Sequence, residues 1–297
     1  MIQADSLGRS TFHHITPQER VHPTNREIRW LKHIERHGPQ SSQYLYELTR
    51  DTHRCKDTAL RQLQKLRAGG YLTLPRQQRA TERAEFNQYI YDLTKKAQDH
   101  LVDHGIAEPT VRPTGHWWHG YMTSCVTSSI DIAAARCGVR YISAHEVLAI
   151  KGTSMAIPIG RSKLIPDQLF ALDYGGSFRA FSLEIDRGTE PKTSRLSRKS
   201  YASSIEMYRK VIEQKLYQSH YGLKASLLAL WVFSSRTNEI KFLEMVANVS
   251  ASLSAAILTQ SLPSFNQDMH SAPPLSKLFY GAWNRAKGEE IVIGSAP

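Results

Sequence analysis

The stretch Ile165-Pro-Asp-Gln-Leu-Phe-Ala-Leu-Asp-Tyr-Gly-Gly-Ser-Phe-Arg-Ala-Phe-Ser-Leu-Glu-Ile-Asp-Arg-Gly-Thr189 decides how the chain is read. It divides into a strand, a Gly-Gly turn and a second strand. Leu169, Phe170 and Leu172 give the first strand its apolar bulk. Phe181, Leu183 and Ile185 alternate with Ser182, Glu184 and Asp186, the period-two pattern of a half-buried strand. Gly175 and Gly176 supply the positive φ that a tight hairpin requires. The alternation puts Glu184 and Asp186 on one face, and the hairpin carries Asp167 towards them. Carboxylates that close raise one another's pKa unless a cation compensates, and oxygen-only ligands suit Mg2+ or Mn2+. The plain alternative is a Pro-Asp turn followed by a solvated acidic face.

What flanks this hairpin favours the first account. Arg187 to Lys215 carries a net charge of +5, with Arg187, Lys192, Arg195, Arg198 and Lys199 nearest the acids. Carboxylates that hold a metal beside cations that hold backbone phosphates are what a metal-dependent phosphodiester site needs. Residues 200–217 read as one helix with Ile205, Tyr208, Ile212 and Leu216 inward. Its Tyr201, Tyr208, Gln214 and Tyr217 either lie over the site or fill the core. Leu227–Phe233 is an apolar run of strand length and fits a buried central strand. Asn238 starts a further helix, residues 251–258 continue small and apolar, and Phe279–Trp283 with Ile291–Ile293 suggest an edge strand. Upstream, residues 152–160 read as an irregular loop, with Arg161 and Lys163 placed to meet phosphate. Glu146 has two equal accounts. It completes a Ser143-x-x-Glu146 capping box, or it is one more carboxylate for the site.

Pro166-Asp167, the gap and Glu184-Ile-Asp186 resemble the core of the PD-(D/E)xK nuclease superfamily. In that pattern two acids hold Mg2+, and a lysine two positions after the second assists the attacking water. Asp186 stands at the lysine position here. The longer string Leu183-Glu-Ile-Asp-Arg-Gly-Thr-Glu190 is similar to the replication-relaxation family of plasmid and mobile-element proteins, a likeness that extends over residues 25–235. It implies an N-terminal winged helix joined to a nuclease-like domain. Carried onto this chain, it implies Mg2+ or Mn2+ on Asp167 and Glu184, with Asp186 or Glu146 completing the set. Lys192, Lys199 or Arg187 then take the part of the absent lysine. His119 matches a histidine that opens a long helix in the family.

The N-terminal part carries its own signal. Asn25 is placed to cap a helix over 26–37, Ser41 or Ser42 a short second helix, and a third runs over about 54–68. Ala59, Leu60, Leu63 and Leu66 sit at core spacing in the third helix. Two strands, 71–74 and 88–93, bracket a segment bearing Arg76, Arg79 and Arg83. Helix, short helix, helix and a basic-tipped hairpin is the order of a winged helix-turn-helix, whose third helix enters the major groove. Between Arg54 and Arg67 that helix has a net charge of +4, and Arg54, Lys56, Thr58, Arg61, Gln62 and Lys65 lie largely off the apolar stripe. Arg reads guanine and Gln reads adenine.

Composition agrees. The 297 residues are 41% hydrophobic and 22% charged, with a formal net charge of +11, which suits a polyanionic partner. The longest apolar run, Ala225–Phe233, is too short to span a bilayer, and residues 1–20 lack the apolar core of a secretory signal. Three cysteines without CxxC spacing fit a reducing cytoplasm better than a structural zinc. His13, His14 and His22 read as solvated tail, and His116 and His119 as structural. The expected organisation is a flexible arm over 1–24, a winged helix-turn-helix over 25–107, a linker over 108–115, and a restriction-endonuclease-like mixed-sheet domain over 116–297. The expected fold class is therefore α+β or α/β. The expected function is a bacterial, cytoplasmic, nucleoid- or plasmid-associated protein that binds double-stranded DNA and cleaves or nicks it with Mg2+. The alternative is a non-catalytic DNA-binding regulator or replication or transfer accessory protein. A homodimer and replication or transfer proteins are the further partners this role admits.

Overall fold

The computed structural model describes residues 15–53, 55–79, 88–109, 116–188, 200–262 and 274–296, with Arg79 as backbone only. The chain is mixed α/β and divides into two compact units. Among the described residues, the first takes in those up to 109 together with His116–Ile132; the second takes most of the rest.

In the first unit, α1 (Asn25–His37) opens with a capping box. Thr24 is the N-cap rather than the expected Asn25, because Glu27 lies three residues on and its Oε2 accepts from Thr24 N at 2.7 Å. There follow β1 (Gln40–Ser41), α2 (Ser42–Leu48), α3 (Lys56–Ala68), β2 (Leu72–Thr73), α4 (Arg76–Arg79), β3 (Ile90–Leu93) and α5 (Lys95–Asp103). β3 pairs antiparallel with both β1 and β2, so the order is β1-β3-β2. Trp30, Leu31, Ile34, Leu45, Ala59, Leu63, Leu66 and Tyr91 form the core, where each large apolar side chain contributes about 1.5–3 kcal/mol. Leu60, expected among them, is only half-buried. Trp30 Nε1 donates to Leu45 O at 2.7 Å, so the buried indole strands no donor.

Gln78 closes the base of the segment between β2 and β3. It is fully buried, donates to Gln88 O at 2.8 Å and accepts from Ile90 N at 3.1 Å. Gln78→Ala leaves two backbone groups unpaired. Denaturant unfolding should show a loss of about 2 kcal/mol, and a loss under about 0.5 kcal/mol would remove Gln78 from this role.

The long helix α6 (Trp117–Arg136) lies where sequence starts the second domain, but its residues through Ile132 group with the first unit. The reason is a row of hydroxyls. Ser124, Thr127, Ser128 and Ser129 contact Gln40, His37, His33 and Tyr44 at 2.6 to 3.2 Å.

The second unit contains β4 (Arg140–Ile142), α7 (Ala144–Ala149), β5 (Ile157–Ile159), β6 (Ser162–Leu164), β7 (Gln168–Asp173), β8 (Phe178–Asp186), α8 (Tyr201–Glu213), α9 (Leu216–Tyr221), β9 (Leu227–Phe233), α10 (Arg236–Ala247), α11 (Ala251–Ala256), β10 (Ile257–Ser261), α12 (Lys277–Tyr280), β11 (Ala282–Trp283) and β12 (Ile291–Val292). Among the described residues the main sheet runs β10-β9-β8-β7-β4. β4, β7 and β8 are antiparallel neighbours, while β8, β9 and β10 are parallel. The β7–β8 hairpin turns through Gly175 and Gly176 at φ of 86° and 107°. Asp173 Oδ1 accepts from both glycine amides, at 3.0 and 2.8 Å.

Three expectations about this unit need correcting. Residues 152–160 are not wholly irregular, since Ile157 and Leu164 are buried and pair across Gly160 as the β5–β6 hairpin. The helix expected over 200–217 breaks at Lys215, which sits in the left-handed region at φ 49°. The small apolar run from Ala251 changes at Ile257 into β10, which buries its backbone against β9. β11 and β12 pair with each other as a two-stranded ribbon, which meets β10 at the edge of the main sheet through the Thr259–Asn284 bridge.

Candidate functional site

The acids of the hairpin are not a solvated face. Asp167, Glu184 and Asp186 are 8%, 2% and 1% exposed. Asp167 Oδ2 accepts from Ile185 N at 2.7 Å, which ties the residue ahead of β7 to the strand that carries the other two. The alternation of β8 turns Glu184 and Asp186 to one face, and α8 covers it. Tyr208 OH donates to Glu184 Oε1 and Tyr201 OH donates to Asp186 Oδ2, each at 2.8 Å. These tyrosines are seven residues apart, about two helical turns, so they share a face. Gly188 N adds a third donor, to Asp186 Oδ1 at 3.0 Å. Burial, with the Glu184 charge beside it, pushes the Tyr208 hydroxyl well above its ordinary range. It therefore remains a donor. Neutral donors hold a carboxylate in place without cancelling its charge.

The three acids do not converge as one ligand set. Among the described residues the His, Cys, Asp or Glu group whose ligand atoms all fall within 4.8 Å is His33, His37 and Asp131. Alternate residues of a strand stand about 7 Å apart, and Glu184 and Asp186 are each held by a tyrosine of their own. Glu146, for which two roles were open, is a cap. Its Oε2 accepts from Ser143 N at 3.0 Å, and Oε1 pairs with Arg140. Glu146→Ala should cost about 1 kcal/mol in thermal or denaturant unfolding and leave any DNA cleavage unchanged. A loss of cleavage with stability intact would return Glu146 to the site.

The other candidates divide by place. Lys56, Arg61, Lys65 and Arg76 are exposed. Ala59, Leu63 and Leu66 take the opposite face of α3 into the core. Thr58 and Gln62, expected beside these cations, are only half-exposed, and Thr58 Oγ1 lies 3.4 Å from Cys55 Sγ. Arg187 is half-buried next to Asp186. Arg54, Arg83, Lys192, Arg195, Arg198 and Lys199 lie outside the described residues, as does the side chain of Arg79.

Sequence passed over a buried network in the first unit. His33 and His37 have the visible spacing of one helical turn, but their partner Asp131 is more than ninety residues away, and no local pattern announces it. Arg36 Nη1 donates to Asp131 Oδ2 at 3.0 Å, and its Nε and Nη2 donate to Glu108 at 3.0 and 2.9 Å. Burial pushes both imidazoles down, with the Asp131 carboxylate acting against it. Burial alone would raise Asp131, but the His37 hydrogen bond and the neighbouring charges hold it well below the usual carboxylate range.

A family model described as replication-relaxation matches residues 31–227 of the 297. The chain belongs to the replication-relaxation family. The match begins inside α1 and ends at the first residue of β9, so α3, Asp167, Glu184, Asp186 and α8 all lie within it. Membership points to a replication-related role on a plasmid or mobile element. No curated protein and no solved structure matches this replication-relaxation chain significantly. Among the described residues no helix is long and apolar enough to cross a membrane.

Proposed function

We propose that this replication-relaxation protein is a DNA-binding protein of a plasmid or mobile element in the bacterial cytoplasm, with its first unit as the reader. The observation that carries this reading is α3. It follows two helices, precedes the β2–β3 pair, buries Ala59, Leu63 and Leu66, and leaves Lys56, Arg61 and Lys65 in solvent. With β1 pairing to β3, this is the element order of a winged helix-turn-helix, whose third helix enters the major groove. The test is a salt titration of duplex affinity. Log K should fall linearly with log salt, and a salt-independent affinity would sink the proposal.

The second unit supports a nuclease-like role. Asp167 stands just ahead of β7, Glu184 lies on β8, and β9 runs parallel to β8. The donors are oxygen only, which fits Mg2+ or Mn2+. Asp167 and Glu184 would hold the ion, which when bound polarises a phosphoryl oxygen and makes a bound water more acidic. Asp167 is oriented by the Ile185 amide and Glu184 by Tyr208. One observation favours the second reading, a non-catalytic accessory protein. A carboxylate bonded to Tyr201 stands at Asp186, where the PD-(D/E)xK pattern has lysine. Supercoiled plasmid with Mg2+ or Mn2+ separates the two: nicked or linear product belongs to the first reading, and unchanged plasmid that is still retarded on a gel belongs to the second.

A further inference from the structure

The first unit holds a second cluster, separate from the acids of β8. His33 and His37 project from one face of α1, and Asp131 meets them from α6; all three are buried. His37 Nε2 lies 2.8 Å and His33 Nδ1 3.6 Å from Asp131 Oδ2. The three ligand atoms lie within 4.8 Å of one another. An ion about 2.0–2.1 Å from two tetrahedral ligands holds them about 3.3 Å apart, and the two separations bracket that value.

The outer nitrogens are also engaged. His33 Nε2 is 2.6 Å from Ser128 Oγ, and His37 Nδ1 is 2.9 Å from Thr127 Oγ1. Thr127 Oγ1 donates its own hydrogen to Thr123 O at 3.1 Å, which leaves a lone pair to accept from His37 Nδ1–H. His37 Nε2 faces the Asp131 carboxylate at 2.8 Å. Hydroxyls that fix the far nitrogen of each ring are the outer support that metal-bound histidines use. Arg36 already uses one lone pair of Asp131, and a carboxylate offers about four.

We propose that His33, His37 and Asp131 bind one divalent zinc ion that clamps α1 to α6 within the first unit. Two imidazoles and a carboxylate are a donor set zinc accepts, and the buried position makes the ion structural. It is bound independently of DNA, so this proposal and the DNA-binding reading fail separately.

The test uses the full chain, stripped with a chelator, loaded with zinc chloride, desalted and weighed by native mass spectrometry with elemental analysis. The expected result is one zinc per chain and a Tm about 5 °C or more above the stripped protein. His37→Gln and Asp131→Asn should lose the ion, while Cys55→Ser and Cys137→Ser keep it. Should the first pair fail to fold, Co2+ loaded into the wild-type chain decides. A tetrahedral visible spectrum without a sulfur charge-transfer band supports the site. Three results would overturn it: wild-type chain that retains no zinc, zinc retained undiminished by folded His37→Gln and Asp131→Asn, or a Co2+ spectrum showing thiolate ligation.

Discussion

Asp167→Asn and Glu184→Gln should each lower Mg2+-dependent nicking of supercoiled plasmid by about 10²-fold or more, with gel retardation of the same DNA unchanged. Removing one charged ligand weakens both the hold on the ion and its orientation, and even outer supports of metal sites are worth about 10–100-fold. The amide variants keep the shape. The side-chain amide that Glu184→Gln introduces still offers a carbonyl to Tyr208, and that of Asp167→Asn still offers one to the Ile185 amide. Glu184→Ala is the wrong control, since it strands the buried Tyr208 hydroxyl at a cost of about 1–3 kcal/mol. Nicking that survives in both amide variants would disprove the site. No nicking by the wild-type chain with either ion would move the protein to the accessory role.

Replacing Lys56, Arg61 and Lys65 together by Ala should weaken duplex binding by about 10²-fold at low salt. The slope of log K against log salt should become shallower by about three, one for each phosphate that is no longer neutralised. The three side chains are exposed and lie off the face that carries Ala59, Leu63 and Leu66. Each change should therefore alter stability by no more than about 0.5 kcal/mol. Parallel thermal unfolding checks that weaker binding is not weaker folding. An unchanged slope would mean that another surface meets the DNA, and the reader would have to be sought outside α3.

Much of this architecture is legible because its signals are local. The alternation Phe181 to Asp186 and the Gly175-Gly176 pair specify the β7–β8 hairpin within a dozen residues. The spacing of Ala59, Leu63 and Leu66 specifies which face of α3 is buried. Signals are weaker where two local solutions compete. Thr24 and Asn25 are both good caps, and only the reach of Glu27 decides between them. Ala251 to Leu258 suits a helix or a strand, and the change at Ile257 depends on the partner β9 offers. Lys215 carries no glycine or proline to announce its left-handed break.

Residue type and spacing along single elements were enough for the period-two and helical patterning. With that patterning come the acidic pair on one strand face and the basic face of the third helix. Which groups hold the acids, and which distant groups meet, emerged only from the packing of one element on another. Tyr201 and Tyr208 are tyrosines at helical spacing until α8 lies over β8 and makes them donors to Asp186 and Glu184. His33 and His37 become a cluster only when Asp131 is brought beside them from α6. The physical reason is that periodicity states which side of an element is buried, whereas a hydrogen bond or a ligand set needs two elements at a set distance.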